Sequence, residues 1–547
     1  MQKFPVQYDE TRLWQGLFLS LVLGYALAYA PYGTNETDGG FLTGLAWQVL
    51  NGKALYREIV YVRPPLPIWL RALELQLLPE NWAILGERWL FYVKIALFAW
   101  LAAATLLTGR QRWILAAFGF VVSVHCYTPM AWHTVDGLLL GSVSLWCLFR
   151  TGAVNGGFWA GVFAFGAMLC KQSFYPLPVI LLALLFIQKN KAGLLALFGG
   201  LAAAAALFVV YLMFDGAWNG FWAMTGQSAS SGQAIQHGIL DYLRINPWVA
   251  ATTALLLPLP VWWLWKGGEA RLSRPALLVW TGWLLMLAIL YVRILWLRQV
   301  FTAPFAQSRL LFDLAVVYGL LQLGAGRWGR GEAAPFFALL GLSWCASISW
   351  GYNLPILFST PMVWVLMDIS QRLWSASFPG RSSALPAVLS LTVLVAVFRY
   401  GYEFVYRDGR RSEMTVEMGA IFPVMQGIRS DTATAALYLD LKHLAERYGP
   451  SFKTLPSFSQ ANFLTRTAPP LPLDWLVGRE CNRDNALILK QMRITRPVFL
   501  VEKSYGRARI VSDPELDFTR QVLLKGRLLE ESPHFWVLEY FGESTVN

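Results

Sequence analysis

PYGTNETDGGFLTGLAWQVLNGKALYREIVYVRPP, residues 31–65, directly follows a first apolar run at 13–30. Apolar residues recur at helical spacing through 41–50, which predicts a short amphipathic helix after the polar cluster around Asp38. Asn51-Gly52 predicts the end of that helix, because glycine accepts the left-handed conformation past a helix terminus. Carboxylates, cations and aromatic residues are frequent in this stretch. A simple connection between two apolar segments would not require them.

Composition separates the chain into two parts. Of 547 residues, 56% are hydrophobic and only 14% are charged, whereas soluble domains are about a quarter charged. Apolar runs recur up to about residue 400, and charges become frequent afterwards. We therefore expect a mainly α fold, with a polytopic membrane helical bundle at 1–400 that includes a first outer loop at 31–82, and a soluble α/β domain at 401–547.

The net charge of +12 lies mostly in short loops between apolar runs. This distribution indicates membrane topology and contact with anionic membrane lipids, and it argues against a nucleic-acid partner. A membrane span needs about 20 apolar residues. The predicted spans, about 13 in number, are 13–30, 83–107, 113–128, 135–149, 157–170, 175–187, 192–214, 248–265, 275–292, 310–325, 334–350, 354–370 and 384–399.

Topology follows from the positive-inside rule. With a cytoplasmic N-terminus, every loop expected on the cytoplasmic side carries Lys or Arg. An odd number of spans then places 401–547 outside the cytoplasm. In that domain, Ser430 or Asp431 predicts the cap of a helix at 432–448 that ends at Gly449-Pro450. Apolar runs at 497–501 and 535–541 predict strands.

Several cations break the rule because they fall on the outer side. They are Lys53, Arg57, Arg63, Arg71, Arg88, Lys171, Arg293, Arg298 and Arg309. An anionic ligand at the outer membrane boundary is the simplest reason to keep positive charges there. Snorkelling side chains and structural ion pairs are the alternative interpretation.

Asp38 is the first candidate for catalysis. A carboxylate at the water–membrane boundary, followed by two glycines that permit close approach of a substrate, suits a general base. Transfer of a sugar from a lipid phosphate also needs cations where charge develops on the departing phosphate. The alternative for Asp38 is a helix N-cap. Glu36 is a second candidate, either to hold a substrate hydroxyl or to raise the pKa of Asp38 by like charge.

The next outer loop supplies His133 and Asp136. Asp136 is a candidate second catalytic carboxylate, and a helix cap is the alternative. His133, Asp38 and Asp136 could in principle bind a divalent metal cofactor, although no i, i+4 spacing supports it, and no metal ligand is assigned. Tyr61 is one of several first-loop aromatic residues suited to stacking on a sugar or to structural packing.

A family resemblance is carried by three stretches. Thr37-Asp38-Gly39-Gly40-Phe41, with the following residues through Pro65, resembles the first outer loop of GT-C superfamily membrane glycosyltransferases that use polyprenyl-phosphate sugars. The likeness is to the family 39-like branch, which includes protein mannosyltransferases and the lipid A aminoarabinose transferase. Residues 166–172 and 456–464, the latter followed by prolines, also fit.

The resemblance implies an inverting glycosyltransferase in a bacterial inner membrane with an extracytoplasmic active site. It implies an undecaprenyl-phosphate sugar as donor and a cell-envelope glycan, lipid or protein as acceptor. Asp38 would be the catalytic acid of the first loop, although many relatives have an adjacent Asp-Glu pair there. The donor phosphate would bind Lys171, Arg63, Arg293, Arg298 and Arg309. Substrate would contact His133, Tyr61 and Gln172.

Other functions remain open at this point. A transporter or flippase of a lipid-linked substrate predicts charges buried in the middle of spans and internally related halves, and the sequence shows neither pattern. A lipid-linked glycan polymerase or ligase is a close alternative within the enzyme class. An envelope sensor or scaffold would leave the carboxylate and cations of the first loop unexplained.

Overall fold

The computed structural model describes residues 10–34, 38–226, 282, 308–348, 355–377, 395, 398–399, 401–403, 405, 409–481 and 485–540. These residues form a mainly helical structure with a small sheet near the C-terminus. The helices of the first part are α1 Glu10–Tyr29, α2 Asp38–Leu50, α3 Leu66–Leu77, α4 Ala83–Leu106, α5 Gly109–Val124, α6 His133–Arg150, α7 Ala153–Met168, α8 Pro176–Ile187, α9 Lys191–Phe214, α10 Trp218–Gly226, α11 Ser308–Gly324, α12 Arg330–Ser347 and α13 Thr360–Ser377.

The predicted spans that fall on described residues coincide with helices at least in part. Those at 248–265 and 275–292, and nearly all of 384–399, lie outside the described residues. The predicted amphipathic helix of the first loop is confirmed as α2, and Gly52 takes the expected left-handed conformation with φ +83°. The first loop also contains α3, which the sequence pattern did not predict.

Length and composition alone identify two helices of the described part as able to cross a membrane, Glu80–Leu106 and Lys191–Phe214. Taken alone this is weak evidence, but the surface of the helices adds to it. On α9, Leu207 is 73% exposed and Phe214 is 94% exposed, and α1 exposes a row of leucines. Soluble proteins rarely expose contiguous apolar surface of this kind. Contact with lipid would cover it.

Small residues set the close packing of α7 against α9. A Cβ atom at Gly161 of α7 would lie 2.2 Å from the Leu197 carbonyl oxygen of α9, and one at Gly200 would lie 2.0 Å from the Phe158 carbonyl oxygen. Any larger residue would therefore separate the two backbones. Close crossings at small residues are typical of helices that associate in a membrane, where dispersion contacts replace the hydrophobic driving force.

The C-terminal part combines short helices with a sheet. Its strands are β1 Val416–Glu417, β2 Arg429–Ser430, β3 Phe452–Leu455, β4 Val498–Glu502, β5 Arg527–Glu531 and β6 Phe535–Glu539, and its helices are α14 Thr432–Tyr448, α15 Ala461–Leu464, α16 Ala486–Thr495, α17 Arg507–Ser512 and α18 Asp517–Lys525. The larger sheet has the order β3-β4-β6-β5, in which β3 and β4 are parallel and the other pairs are antiparallel.

Sequence signals located α14 and two of these strands. Asp431 caps α14 by accepting a hydrogen bond from the Thr434 backbone N–H at 2.8 Å, and Gly449 ends the helix with φ +74°. The predicted runs at 497–501 and 535–541 are confirmed as β4 and β6. Strands β3 and β5 were not predicted, since neither has a clear alternation of apolar and polar residues.

Residues 459–480 of the C-terminal part pack directly on α2. A Cβ atom at Gly40 would lie 2.7 Å from Gln460 Cβ, and one at Gly44 would lie 2.4 Å from the Ser459 carbonyl oxygen. Glycine at these two positions, four residues apart on one helix face, therefore lets the backbones approach closely. One turn further, the Gln48 side-chain amide donates to Asp474 at 2.7 Å. The C-terminal part thereby fixes the helix that begins at Asp38.

Candidate active site

Asp38 is the first residue of α2 and is partly buried. A carboxylate in the first turn of a helix interacts favourably with the positive end of the helix dipole. Glu36, the other first-loop carboxylate predicted to act here, lies outside the described residues.

Arg63 is held in a buried ion pair with the C-terminal part. Its guanidinium donates to both carboxylate oxygens of Glu480, at 2.5 and 2.8 Å, and the two side chains are 3% and 1% exposed. The guanidinium also lies 5.3 Å from the centroid of the Phe41 ring on α2. The Tyr56 hydroxyl donates to the Arg63 carbonyl oxygen at 2.7 Å, so both the backbone and the side chain of Arg63 are fixed.

Lys171 lies between α7 and the short helix Gln172–Phe174 and is 5% exposed. Its ammonium group is 3.5 Å from the Thr134 hydroxyl oxygen and 5.9 Å from the centroid of the Trp132 ring. Burial lowers the pKa of Lys171 well below its usual value, and the positive charge of Arg63 lowers it further.

Two carboxylates act on Lys171 in the opposite direction. The charges of Glu480 and then Asp38 raise the pKa of Lys171, against the larger effects of burial and of Arg63. The charge of Asp38 also raises the pKa of Arg63. These four side chains, Asp38, Arg63, Lys171 and Glu480, are called the Lys171 cluster below. The Arg63 guanidinium lies near Phe41 in the first turn of α2, and Gln172 donates to the Val62 carbonyl oxygen, so the fold brings together the segments that carry Asp38, Arg63 and Lys171.

His133 and Tyr61 form a pair beside this cluster. Nε2 of His133 and the Tyr61 hydroxyl are 2.7 Å apart, and the two rings are stacked with 15° between their planes. Burial lowers the pKa of His133 well below its usual value, and Arg63 and then Lys171 add to that effect. His133 is therefore neutral at physiological pH. Its Nδ1 atom is buried and has no hydrogen-bond partner among the described residues.

Gln172 lies next to Lys171 and ties its segment to the first loop. The Gln172 side-chain amide donates to the Val62 carbonyl oxygen at 2.7 Å, one residue before Arg63. The Leu66 backbone N–H at the start of α3 also donates to the Leu169 carbonyl oxygen at 3.1 Å. These two contacts hold the segment that carries Arg63 beside the segment that carries Lys171.

Asp136 is engaged in a different set of charges. Its carboxylate lies 2.7 Å from the Lys94 ammonium, which also lies 2.6 Å from Glu74. Arg71 contacts Glu74 at 3.3 Å and Glu87 at 2.5 Å. These five side chains, Arg71, Glu74, Glu87, Lys94 and Asp136, are called the Lys94 network below. Asp136 was predicted as a second catalytic carboxylate, and the structure places it in this network with Lys94 as its ion-pair partner.

Several of the cations that were predicted to lie on the outer side have structural contacts. Arg88 donates to the carbonyl oxygens of Ala30, Tyr32 and Gly33 at 2.7–3.1 Å. Lys53 donates to the Pro469 carbonyl oxygen at 2.5 Å. The structural interpretation therefore accounts for these two cations, as it does for Arg71 and for Arg57, which donates to the Asp215 carbonyl oxygen at 2.7 Å.

Three predicted phosphate ligands are not placed by the structure. Arg293 and Arg298 lie outside the described residues, and only the backbone of Arg309 is described, near the start of α11. Among the described residues no group of three or more His, Cys, Asp or Glu side chains is arranged to hold a metal ion. Asp136 contacts Lys94 and His133 contacts Tyr61, and the chemistry proposed below is written without a metal.

Two important residues, Glu480 and Lys94, were not predicted from the sequence. Glu480 lies in no recognisable motif, and nothing local signals that it meets Arg63 across more than four hundred residues. Lys94, by contrast, carried a signal, because it is a cation inside a predicted span. An ionisable residue within an apolar segment requires a partner, and here the partners are Glu74 and Asp136.

Comparison with known proteins adds little to this geometry. The crystal structure of ArnT from Cupriavidus metallidurans bound to undecaprenyl phosphate is similar to this chain with a TM-score of 0.43 and 11% identity, over 97% of this chain and 98% of that one. At so low a TM-score the likeness carries no argument. No family model and no curated protein matches the chain. The function must therefore be inferred from the residues themselves.

Proposed function

We propose that this protein is an integral membrane glycosyltransferase. It would move a hexosyl or pentosyl group from a polyprenyl-phosphate donor, such as an undecaprenyl-phosphate sugar, to a glycan, lipid or protein acceptor of the cell envelope. One observation carries the proposal: two buried basic side chains, Arg63 and Lys171, lie within electrostatic range of Asp38 at the start of α2.

Arg63 and Lys171 are basic side chains that are both buried. Burying a cation is costly, and burying two together is costlier, unless a negative charge offsets them. Glu480 offsets Arg63 directly. The pKa of Lys171 stays well below its usual value in spite of the carboxylates. A phosphate beside Lys171 would relieve this penalty, because charge-assisted hydrogen bonds to phosphate oxygens are strong.

The proposed reaction is a single displacement. The acceptor hydroxyl oxygen attacks the anomeric carbon, the bond from that carbon to the phosphate oxygen breaks, and the configuration inverts. Asp38 takes the hydroxyl proton as general base. The electron pair of the broken bond stays on the phosphate, which leaves as polyprenyl phosphate. Lys171 and Arg63 stabilise the charge that develops on the departing oxygen.

The remaining predicted residues take secondary parts in the proposal. His133 and Tyr61 would contact the sugar or the phosphate through the edge of their stacked pair, and Gln172 would hold the Lys171 segment in place. The roles of Glu36, Arg293, Arg298 and Arg309 rest on their sequence positions. We assign Asp136 a structural role through Lys94 instead of base catalysis.

The proposed location is a bacterial inner membrane, crossed several times, with the active site and residues 401–547 on the extracytoplasmic side. The exposed apolar residues of α1 and α9 and the basic loops of the positive-inside pattern support it. The proposed boundary near residue 400 separates the membrane bundle from the C-terminal part. Because residues 459–480 pack on α2, the two parts would work as one unit.

A transfer assay tests the proposal. Membranes that contain the wild-type protein or Asp38→Asn are given a labelled undecaprenyl-phosphate sugar and cell-envelope acceptors. Removal of a general base typically costs about 10²–10⁴ in rate, so we expect transfer by the variant to fall by at least about a hundredfold. Mass spectrometry of surface glycans, with and without the protein, identifies the sugar and the acceptor.

The matched control is Asp517→Asn in the C-terminal part. Asp517 also lies in the first turn of a helix, and its contacts to Arg520 and Gln521 are local. This control should transfer at the wild-type rate. Undiminished transfer by Asp38→Asn would refute the assignment of the base, and no transfer of any polyprenyl-phosphate sugar by the wild-type protein would refute the proposed function.

A further inference from the structure

Glu480 is the one member of the Lys171 cluster that comes from the C-terminal part. It ends the short helix Gly478–Glu480, and its backbone N–H donates to the Val477 carbonyl oxygen at 2.9 Å. The preceding residue is anchored too, because the Arg479 N–H donates to the Glu515 carboxylate at 2.8 Å. The carboxylate is 1% exposed and reaches both terminal nitrogens of Arg63.

The geometry of this contact is that of phosphate recognition. Two parallel N–H donors of a guanidinium fit two oxygens of a carboxylate or of a phosphate equally well. The Glu480 oxygens therefore occupy an edge of the Arg63 guanidinium to which a phosphate would otherwise bind. The charge of Glu480 also acts on Lys171, the second cation of the site. A fixed negative charge thus contacts Arg63 and lies within electrostatic range of Lys171.

We propose that Glu480 is a positioning residue that acts as an internal counter-ion: it holds Arg63 in place and opposes the binding of the lipid phosphate. This inference rests on the proposed function, and it adds a reason for the C-terminal part to reach into the site. A carboxylate fixed to Arg63 weakens the hold of both cations on phosphate. The product can then leave.

The charges of donor and product explain why such a device is useful. The donor is a phosphodiester with one negative charge, whereas the product is a phosphomonoester that carries up to two. A site with two uncompensated cations would therefore bind its product more tightly than its donor and would be slow to release it. Glu480 offsets one cation permanently. Binding energy then stabilises the negative charge that develops in the transition state, and the phosphate product is not held tightly.

The experiment measures the affinity of purified protein in detergent for undecaprenyl phosphate, without any transfer. Glu480→Gln keeps the shape of the side chain and one hydrogen bond to Arg63 but removes the charge. We expect undecaprenyl phosphate to bind roughly five- to tenfold more tightly to this variant, since one unit charge at close range changes by about that factor. Measurement at the acidic end of the range over which both proteins stay folded keeps Lys171 comparably charged.

The direction of the effect separates this inference from a structural role. Damage to the site would weaken binding, whereas loss of an opposing charge strengthens it. The matched control is Glu530→Gln, which removes a carboxylate from an exposed pair with Arg447 in the same part of the chain and should leave the affinity unchanged.

A second variant covers a failure of Glu480→Gln to fold. Glu480→Asp keeps the charge but withdraws it by one methylene, so binding should tighten by only about two- to threefold. Equal or weaker binding by the folded variant overturns the inference. If the wild-type protein binds undecaprenyl phosphate and the variants bind no tighter, only this inference fails. If the wild-type protein does not bind it at all, the proposed function fails as well.

Discussion

The Lys171 cluster and the Lys94 network are two groups of buried charges on neighbouring segments, and they are built in different ways. In the Lys94 network, Lys94 contacts two carboxylates at 2.6 and 2.7 Å, and Arg71 contacts two more oxygens at 2.5 and 3.3 Å. In the Lys171 cluster, Arg63 is matched by Glu480, while the Lys171 ammonium lies near a hydroxyl and an indole ring.

This difference separates structural cations from cations that are suited to bind a ligand. Both groups contain cations for which the sequence predicted an anionic ligand, namely Arg71 in the Lys94 network and Arg63 and Lys171 in the other. Each cation of the Lys94 network has carboxylate oxygens within ion-pair distance, so its charge is used inside the protein. Lys171 is buried within electrostatic range of another cation, Arg63, and burial keeps the pKa of Lys171 well below its usual value. An incoming anion would gain most from Lys171.

The comparison predicts that Lys94 matters for stability. Lys94→Met leaves the buried Asp136 carboxylate, which is 3% exposed, without its ion-pair partner. Removal of one member of a buried pair typically costs about 3–5 kcal/mol, so we expect the variant to unfold at a markedly lower temperature in detergent. Thermal unfolding followed by circular dichroism measures the loss.

The double variant Lys94→Met with Asp136→Leu is the control for that prediction. It removes both charges and should recover part of the lost stability, since an apolar pair avoids the penalty of an uncompensated buried charge. If Lys94→Met unfolds at the wild-type temperature, the Lys94 network is not the structural group described above, and its charges would have to be reconsidered as part of the ligand site.

Substitution of Lys171 should affect donor binding more than stability. Lys171→Gln removes a buried charge from beside Arg63, so we expect a smaller change in unfolding temperature than for Lys94→Met. Hydrogen bonds to charged groups are worth about 1.5–3 kcal/mol, so the KM for the polyprenyl-phosphate donor should rise by roughly 10- to 100-fold. Initial rates at varied donor concentration provide the measurement. A donor KM within twofold of the wild-type value contradicts the placement of the phosphate.

Local signals in the sequence predicted local structure well. Helix α2 with Gly52 after it, and α14 between Asp431 and Gly449, were found because caps and left-handed glycines depend only on adjacent residues. The predicted site residues Asp38, Arg63 and Lys171 also come together in the fold. Their catalytic and binding roles stay predictions, since proximity is compatible with more than one chemistry.

The partners of the charges could not be predicted in the same way. Glu480 meets Arg63, and Asp474 meets Gln48, over more than four hundred residues of sequence. Such contacts depend on how the C-terminal part docks on α2, and no periodic pattern encodes that. The structural contacts of Arg88 with backbone carbonyls are equally invisible in the sequence. Sequence reasoning therefore located the outer cations but did not separate the structural ones from the rest.

The smallest expected effect is a pH dependence of phosphate binding, which sharpens the comparison because it isolates Lys171. The pKa of Lys171 is lowered in the free protein, chiefly by burial and then by Arg63. A bound phosphate would raise it, so binding takes up a proton. Affinity should then be greatest below the pKa of Lys171 in the free protein and fall as the pH rises through it. With one proton involved, the slope is at most tenfold per pH unit.

Lys171→Arg provides the control, because a guanidinium stays charged at every pH that the protein tolerates. The ligand and the other charged groups of the site are the same in both proteins, so the difference between the two curves reports Lys171. Isothermal titration of undecaprenyl phosphate across a pH series gives both curves. If they are parallel, Lys171 does not exchange a proton with the ligand. The contrast between the two charged groups would then have to rest on stability alone.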